Sequence, residues 1–361
     1  MFLRNVLQAS AILPFLYTTA SAQNACNNSP SLCSRAYNNI THLGAHDSPF
    51  LRNQETSFST SGNHYYNTTV QLDAGVRLLS AQVHKTNESG SEAWHLCHSD
   101  CALLDAGSLE SWLSEIKTWM DANTNDVVTI LLVNSDNASP ADLGAQFSSS
   151  GIDSYAYTPP STTTLPQTWP TLDNLISNNT RLVTFVASLS QPSTEYPYLM
   201  DEFTFVFENE FENVSPSNYS CNPDRPTSLG TASAALNSGR MFLMNHFLYE
   251  TNIFFMSPNA TYANVTNAQT GFGSLGESVT ECTGVYGKPP TFVLVDWFNV
   301  GPAIASVDAA NGISSATGRK SVSTAPLTRG NSGSSTGGVG KQQGSMLAVV
   351  VAVVATIAFG A

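Results

Sequence analysis

Between its two ends the chain carries eight short apolar runs, separated by polar, Gly/Pro-marked or amphipathic stretches: Ile40–His46, Val76–Val83, Trp94–His98, Val127–Asn134, Leu182–Ser188, Thr204–Glu208, Arg240–His246 and Thr291–Asp296. Several are continuous rather than alternating, as expected of parallel strands covered on both faces. One intervening stretch has a clear helical period. In Ser108–Met120, Leu109, Trp112, Leu113, Ile116 and Met120 share a face, with Ser108 where an N-cap belongs. A last helix-like stretch follows Gly301-Pro302, near Ala303–Ala310. Strands alternating with helices predict an α/β fold, an irregular (β/α)8 barrel of the TIM type in a single domain. A doubly wound sheet requires a Gly-rich phosphate turn after a strand, and the sequence has none.

The polar residues sharpen this picture. The predicted strands finish at His46, Gln82 and His84, His98, Asn134, Ser188, Glu208, His246 and Asp296. Barrel enzymes keep their chemistry at those carboxyl-terminal ends. Imidazole takes and gives protons near neutral pH, so His46 and His98, at the mouths of the first and third predicted strands, suit a reaction with an attacking hydroxyl and a leaving oxygen. Cleavage of a phosphodiester is such a reaction. Asp47 or Asp296 is placed to orient His46. The remaining strand-end residues, Gln82, His84, Asn134, Glu208 and His246, are the expected substrate-binding set. Glu208 is either functional or ion-paired, because a buried carboxylate needs a partner. His42 shares the parity of His46 but lies deeper and is expected in the core, while His64 and His95 read as ordinary.

Composition adds the setting. The formal net charge is −13, with only 14 Lys and Arg among 361 residues, which argues against nucleic acid as a partner. Residues 1–22 read as a secretory signal, with Arg4, an apolar run and Ala20-Ser21-Ala22 before Gln23. The barrel is expected over 23–313, and a Ser/Thr/Gly-rich, flexible stalk over 314–345. The apolar segment 346–361, preceded by small residues near Asn331-Ser332-Gly333, reads as the signal for a GPI anchor. The expected location is therefore the cell surface or wall, with the membrane as a partner through the anchor.

Six cysteines suit that oxidising setting. Fifteen pairings are open; the one that closes the shortest loops is Cys26–Cys33, Cys97–Cys101 and Cys221–Cys282. Zinc at Cys97, Cys101, His95 and His98 is the rival reading, without a second Cys/His cluster to support it. Ten Asn-X-Ser/Thr sequons mark candidate surface loops. Phe254 and Phe255 are candidate lipid contacts if exposed and core residues if not.

Leu43-Gly44-Ala45-His46-Asp47-Ser48, then Gln71-Leu72-Asp73-Ala74-Gly75-Val76-Arg77-Leu78-Leu79, then the His98 run, resemble the X region of phosphatidylinositol-specific phospholipase C. The resemblance is closer still to the secreted fungal PLC-like phosphodiesterases. It is strong from about Asn38 to Asp136 and looser through Asp296. The resemblance implies an irregular barrel, His46 as the base on an inositol 2-hydroxyl, His98 as the acid on the leaving oxygen, and Asp296 as support for His46. It also marks a departure. Where the family carries acidic calcium ligands, or an aspartate and an arginine in metal-free members, this chain has Ser80 and Gln82. Calcium is left open, and no metal ligand is assigned. Arg77 points to the opposite strand face, so a compensating positive charge is expected from His84, Lys85 or His246. Two other readings stand beside the phosphodiesterase: a barrel without turnover that binds at the cell surface or wall, and a glycoside hydrolase using Glu208 and Asp296.

Overall fold

A computed structural model of the chain describes residues 25–329 apart from 89, 190 and 252–255. The expected signal segment, anchor signal, Phe254 and Phe255 lie outside the described residues. Among the described residues twelve strands are present: β1 His42–Ala45, β2 Leu78–Glu88, β3 Ser91–Cys97, β4 Asp105–Ser108, β5 Val128–Asn134, β6 Leu182–Ala187, β7 Leu199–Asp201, β8 Val206–Glu208, β9 Met241–Asn245, β10 Tyr249–Thr251, β11 Met256–Pro258 and β12 Phe292–Val295. Eight of them lie side by side in the order β7-β6-β5-β2-β1-β12-β9-β8, and every pair in that row is parallel. This is the curled sheet of an irregular barrel. Its closure is incomplete between β7 and β8, the two ends of the row, where the short helix Glu202–Phe205 links the strands.

The strand set differs from the sequence expectation in one exchange. Trp94–His98 is not a barrel strand; β3 folds back antiparallel on β2, with Val83 opposite Leu96 and Glu88 opposite Ser91. The missing place in the barrel belongs to β7. Its three residues are too short to show a period.

Strand alternation divides the apolar residues into two cores. Leu78, Leu131, Phe185, Val206, Leu243, Phe292 and Leu294 fill the barrel interior, while Leu79, Ala81, Val128, Ile130, Leu132 and Met244 pack outward against the helices. The helix Leu109–Ala122 supplies much of that outer layer through Leu109, Trp112, Leu113, Ile116 and Met120, and Ser108 caps it by accepting the Ser111 N–H. Gly44 lets β1 fit between its neighbours. A Cβ there would stand 2.6 Å from Leu294 Cδ2 and 2.9 Å from Leu78 Cδ2.

The cysteines form Cys26–Cys33, Cys97–Cys101 and Cys221–Cys282, the shortest-loop pairing. With Cys97 and Cys101 bonded to each other, no zinc site exists at that position.

Residues 314–329 are docked rather than stalk-like. Thr317 N–H donates to Asn28 O, Arg319 pairs with Asp308 at 2.6 and 2.7 Å, and Lys320 Nζ meets Asp73 at 2.8 Å. Composition missed this because Ser, Thr and Gly in this stretch carry few apolar anchors. The docking is done by charge pairs and by Val322 and Leu327, which pack against the domain. No helix among the described residues is long and apolar enough to cross a membrane.

Candidate active site

Parity decides which strand-end side chains enter the barrel mouth. His42, Gly44 and His46 lie on the inward face of β1, and Leu294 and Asp296 lie on that of β12 and its exit. His46 and Asp296 therefore meet: Nδ1 of His46 donates to Asp296 Oδ1 at 3.0 Å. The other ring nitrogen, Nε2, stands 3.6 Å from Asp47 Oδ2. His98 arrives from the end of β3 and sets its Nε2 3.7 Å from that same oxygen. The two imidazoles thus share one carboxylate. Gln82, inward on β2, fixes this carboxylate by donating from Nε2 to Asp47 Oδ2 at 2.7 Å, and its Oε1 accepts the Ser99 N–H at 2.8 Å.

Three tight exits aim these groups. Asp47, Ser99 and Trp297 directly follow His46, His98 and Asp296, and they have φ of 52°, 61° and 42°. Left-handed backbone costs about 1–3 kcal/mol for such residues, and nothing in the local residue types announces it. Ser80 helps hold the first exit, its Oγ accepting the Asp47 N–H and its carbonyl the Ser48 N–H. Phe247 stacks on His46 with ring centroids 3.7 Å apart and planes 4° from parallel. Phe50 meets His98 edge-on at 5.3 Å.

Sequence reasoning missed Asn63. It lies in the loop after β1, fully buried, and its Nδ2 donates to Asp296 Oδ1 at 3.0 Å. The neighbouring His64 Nε2–H donates to the carbonyl of His46 at 2.7 Å. Burial, against the pull of Asp296, lowers the pKa of His64 to about 4 and keeps it neutral. Phe50 O accepts both loop N–H groups. Only tertiary structure brings this loop over the strand end.

The electrostatics separate the two site histidines. Burial disfavours charge on His46, but Asp47 and Asp296 more than offset it, and its pKa is raised. At His98 burial wins over the pull of Asp47, with His46 opposing charge as well, and its pKa is lowered. In the free protein the proton affinity is higher at His46 than at His98.

The other expected contacts fall elsewhere. Asn134 faces outward, opposite in parity to Leu131; its amide closes the following turn, donating to Ala138 O and accepting Ala138 N–H. His246 also faces outward, next to Met244 in parity, and is fully enclosed. It stacks on Tyr219 and hydrogen-bonds Thr266 O, and burial lowers its pKa to about 4. Neither residue can touch a substrate in the mouth. Asn245, the inward neighbour of His246, is buried and donates from Nδ2 to Glu208 Oε2 and to Asn209 O. His84 is engaged by Asp136 at 3.3 Å, and Lys85 by Glu92 at 2.6 Å on the β2–β3 hairpin. Lys85 and His246 are thus committed elsewhere, whereas His84 shares the inward face of β2 with Gln82 and is paired there with Asp136. Glu208 is inward and ion-paired: Arg225 donates to its Oε2 at 2.8 Å and Asn245 at 2.7 Å. With Asp296 on His46 and Glu208 on Arg225, these carboxylates are not a free pair for a glycosidase. His42 packs in the barrel against Tyr37 and Phe292.

Calcium does not fit the second strand. Calcium asks for six to eight oxygen ligands, several of them carboxylates. Ser80 Oγ is directed at the Asp47 N–H, and Gln82 presents an N–H to Asp47 while its oxygen is held by Ser99.

Comparison with known proteins follows this geometry. The model of the PI-PLC X domain family (PI-PLC X 1) matches residues 32–311. The PI-PLC X domain-containing protein 1 of Arthroderma benhamiae is 36% identical over 295 residues, 80% of this chain and 90% of that protein. A second protein of that organism, named an uncharacterized secreted protein, is 36% identical over 286 residues. The match covers 78% of this chain and 62% of the relative's own length. The phosphatidylinositol-specific phospholipase C of Listeria monocytogenes shares the fold, with a TM-score of 0.51 at 14% identity over 78% of this chain and 97% of its own.

Proposed function

The chain belongs to the PI-PLC X domain family, and on that premise we propose that it cleaves a phosphodiester on an inositol-type headgroup by two-histidine acid/base catalysis. In the proposed step His46 takes the proton of the hydroxyl next to the phosphoryl group, and that oxygen attacks phosphorus. The bond to the leaving oxygen breaks, the leaving oxygen receives a proton from His98, and a cyclic phosphodiester remains. The observation that carries the reading is the shared carboxylate: Asp47 Oδ2 lies 3.6 Å from one Nε2 and 3.7 Å from the other. One carboxylate within 3.7 Å of both rings favours the charged form of either, as a base and an acid acting in one step require.

The proton affinities of the free protein run opposite to these roles, raised at His46 and lowered at His98. An anionic phosphodiester seated beside His98 raises the proton affinity of that ring, so substrate binding populates the productive arrangement.

Leaving-group chemistry tests the assignment. A nitrophenyl leaving group needs no acid, so His98→Ala should recover most of its lost turnover on a nitrophenyl inositol phosphodiester, while His46→Ala stays inactive. Recovery in His46→Ala instead would exchange the roles.

The neutral Ser80 and Gln82 favour a second reading, a barrel that binds but does not turn over. Headgroup binding without turnover of a nitrophenyl or an alkyl inositol phosphodiester would select it. The expected setting is extracellular. The secreted name of one relative and the three disulfides support it, and the carboxyl-terminal sequence pattern supports a GPI anchor.

A further inference from the structure

The path of residues 314–329 fixes which end of the barrel the tail leaves. The helix Ala303–Ala310 runs from the mouth to the amino-terminal end of the strands, where Asn311 pairs with both backbone groups of Thr41 ahead of β1. The chain stays at that end through Thr317, on Asn28, and Arg319 and Lys320, beside Gly75 and Asp73 at the foot of the helix before β2. Then it climbs back. Ser323 O accepts from Asn299 in the exit after β12, and Leu327 packs with Tyr65, Trp297 and Val300. Arg329 donates to Ser57 O in the loop over the site. The tail therefore departs beside the mouth. A stalk starting at Ser314 would have departed from the opposite end.

A second, independent feature marks the same end. Of the eight exposed large apolar side chains among the described residues, six sit on the segments that leave the mouth-side ends of the strands: Leu103, Val214, Met256, Tyr262, Val265 and Phe272, the last 72% exposed.

We infer that the mouth faces the bilayer that holds the chain's own anchor, so that the site addresses phosphodiesters of the membrane it stands on. The inference rests on the anchored reading above. From Arg329 to the small residues at 331–335 is two to six residues, a reach of roughly 7–21 Å, against a domain roughly 50 Å across. A tether that starts beside the mouth keeps that end of the domain nearer the lipid than the far end. The sequons Asn218, Asn259 and Asn264 lie on the same loops, and a glycan there sets a stand-off, so the mouth faces the bilayer without needing to enter it.

The test uses the full chain, matured in a eukaryotic secretory host and reconstituted into phosphatidylcholine vesicles containing a rhodamine-headgroup lipid. All six cysteines are disulfide-bonded, so Phe272→Cys on the rim and Thr124→Cys at the amino-terminal end each give one free thiol for a donor dye. Energy transfer to the lipid should be about twofold or more higher from 272 than from 124 for a domain of this size. Equal or reversed transfer overturns the inference. Leu327→Ala with Arg329→Ala frees the mouth end of the strap and should abolish the difference; a difference that persists removes the strap as its cause. Nitrous acid, which cuts GPI anchors at glucosamine, should release the chain from the vesicles. Failure of release brings down the anchored reading and the orientation with it, whereas release with equal transfer brings down the orientation alone.

Discussion

Two walls of the mouth are built from the same residue types and behave differently. On one, around β1, β2 and β12, Asp47 and Asp296 hold His46 and His98, and the carboxylates are set by Gln82 and Asn63. There His98 Nε2 has no hydrogen-bond partner, although it is buried. On the other, beside the open seam between β7 and β8, Glu208 is closed off by Arg225 and Asn245, and Glu202 lies against Glu208 and hydrogen-bonds it. The first wall leaves a proton and a donor available to an incoming group. The second uses its one cation internally. Substitutions on the first wall should change turnover with little effect on stability, and those on the second should do the reverse.

The sharpest break is His46→Ala. Proton transfer by a placed imidazole is worth about 10²–10⁴ in rate, so turnover of an inositol phosphodiester with an alkyl leaving group should fall by about a thousandfold, with the urea midpoint nearly unchanged. A midpoint that falls with the rate would make His46 a structural residue like His42.

Asp296→Asn comes next, with a loss of about a hundredfold and a shift in pH dependence. His46 must shed its proton to act as a base, so activity rises with pH through the raised pKa of that ring. Removing the Asp296 charge lowers that pKa, and the rising limb should move to lower pH. A limb that stays in place would mean that Asp47 alone sets the proton affinity of His46.

Arg225→Gln sharpens the comparison from the other wall. Leaving a buried carboxylate without its cation costs about 3–5 kcal/mol. Arg225 is one-third exposed, so water takes up part of this, and about 2 kcal/mol is expected in urea unfolding. The folded variant should keep turnover within a factor of about ten. A thousandfold loss of turnover without a loss of stability would move Arg225 into the site.

The same contrast explains what could be read from the chain. His46 and Asp296 were legible because each ends a continuous apolar run with inward parity, and Asp47 because it adjoins His46. Asn134 and His246 also end such runs, but they sit one residue out of phase with Leu131 and Leu243, a parity that the interior residues disclose only once the inner face is known. His98 was found at a strand end of the wrong kind: β3 is antiparallel, and a short apolar run does not encode its partner's direction. Asn63 and Arg225 were invisible, since loops bring them to the mouth from 17 residues along the chain in one case and 17 in the other.

Glu202→Gln is the smallest expected effect and tests the nature of the second wall most directly. Burial first, and then the neighbouring Glu208 charge, push the Glu202 carboxyl well above its ordinary range despite Arg225, so the folded protein keeps this proton when the unfolded chain has lost it. Below the unfolded pKa both states are protonated and the group costs nothing. As pH rises past that value, folding must retain a proton that water would remove, and stability declines until the folded pKa is passed. Glutamine has the shape of the neutral acid and never titrates. The variant should therefore match the native chain near pH 4 and gain about 1 kcal/mol relative to it toward neutral pH, measured as the difference between urea unfolding curves across that range. A difference that does not change with pH would show that Glu202 is ionised in the fold, and the seam would then be held by two buried anions on a single arginine.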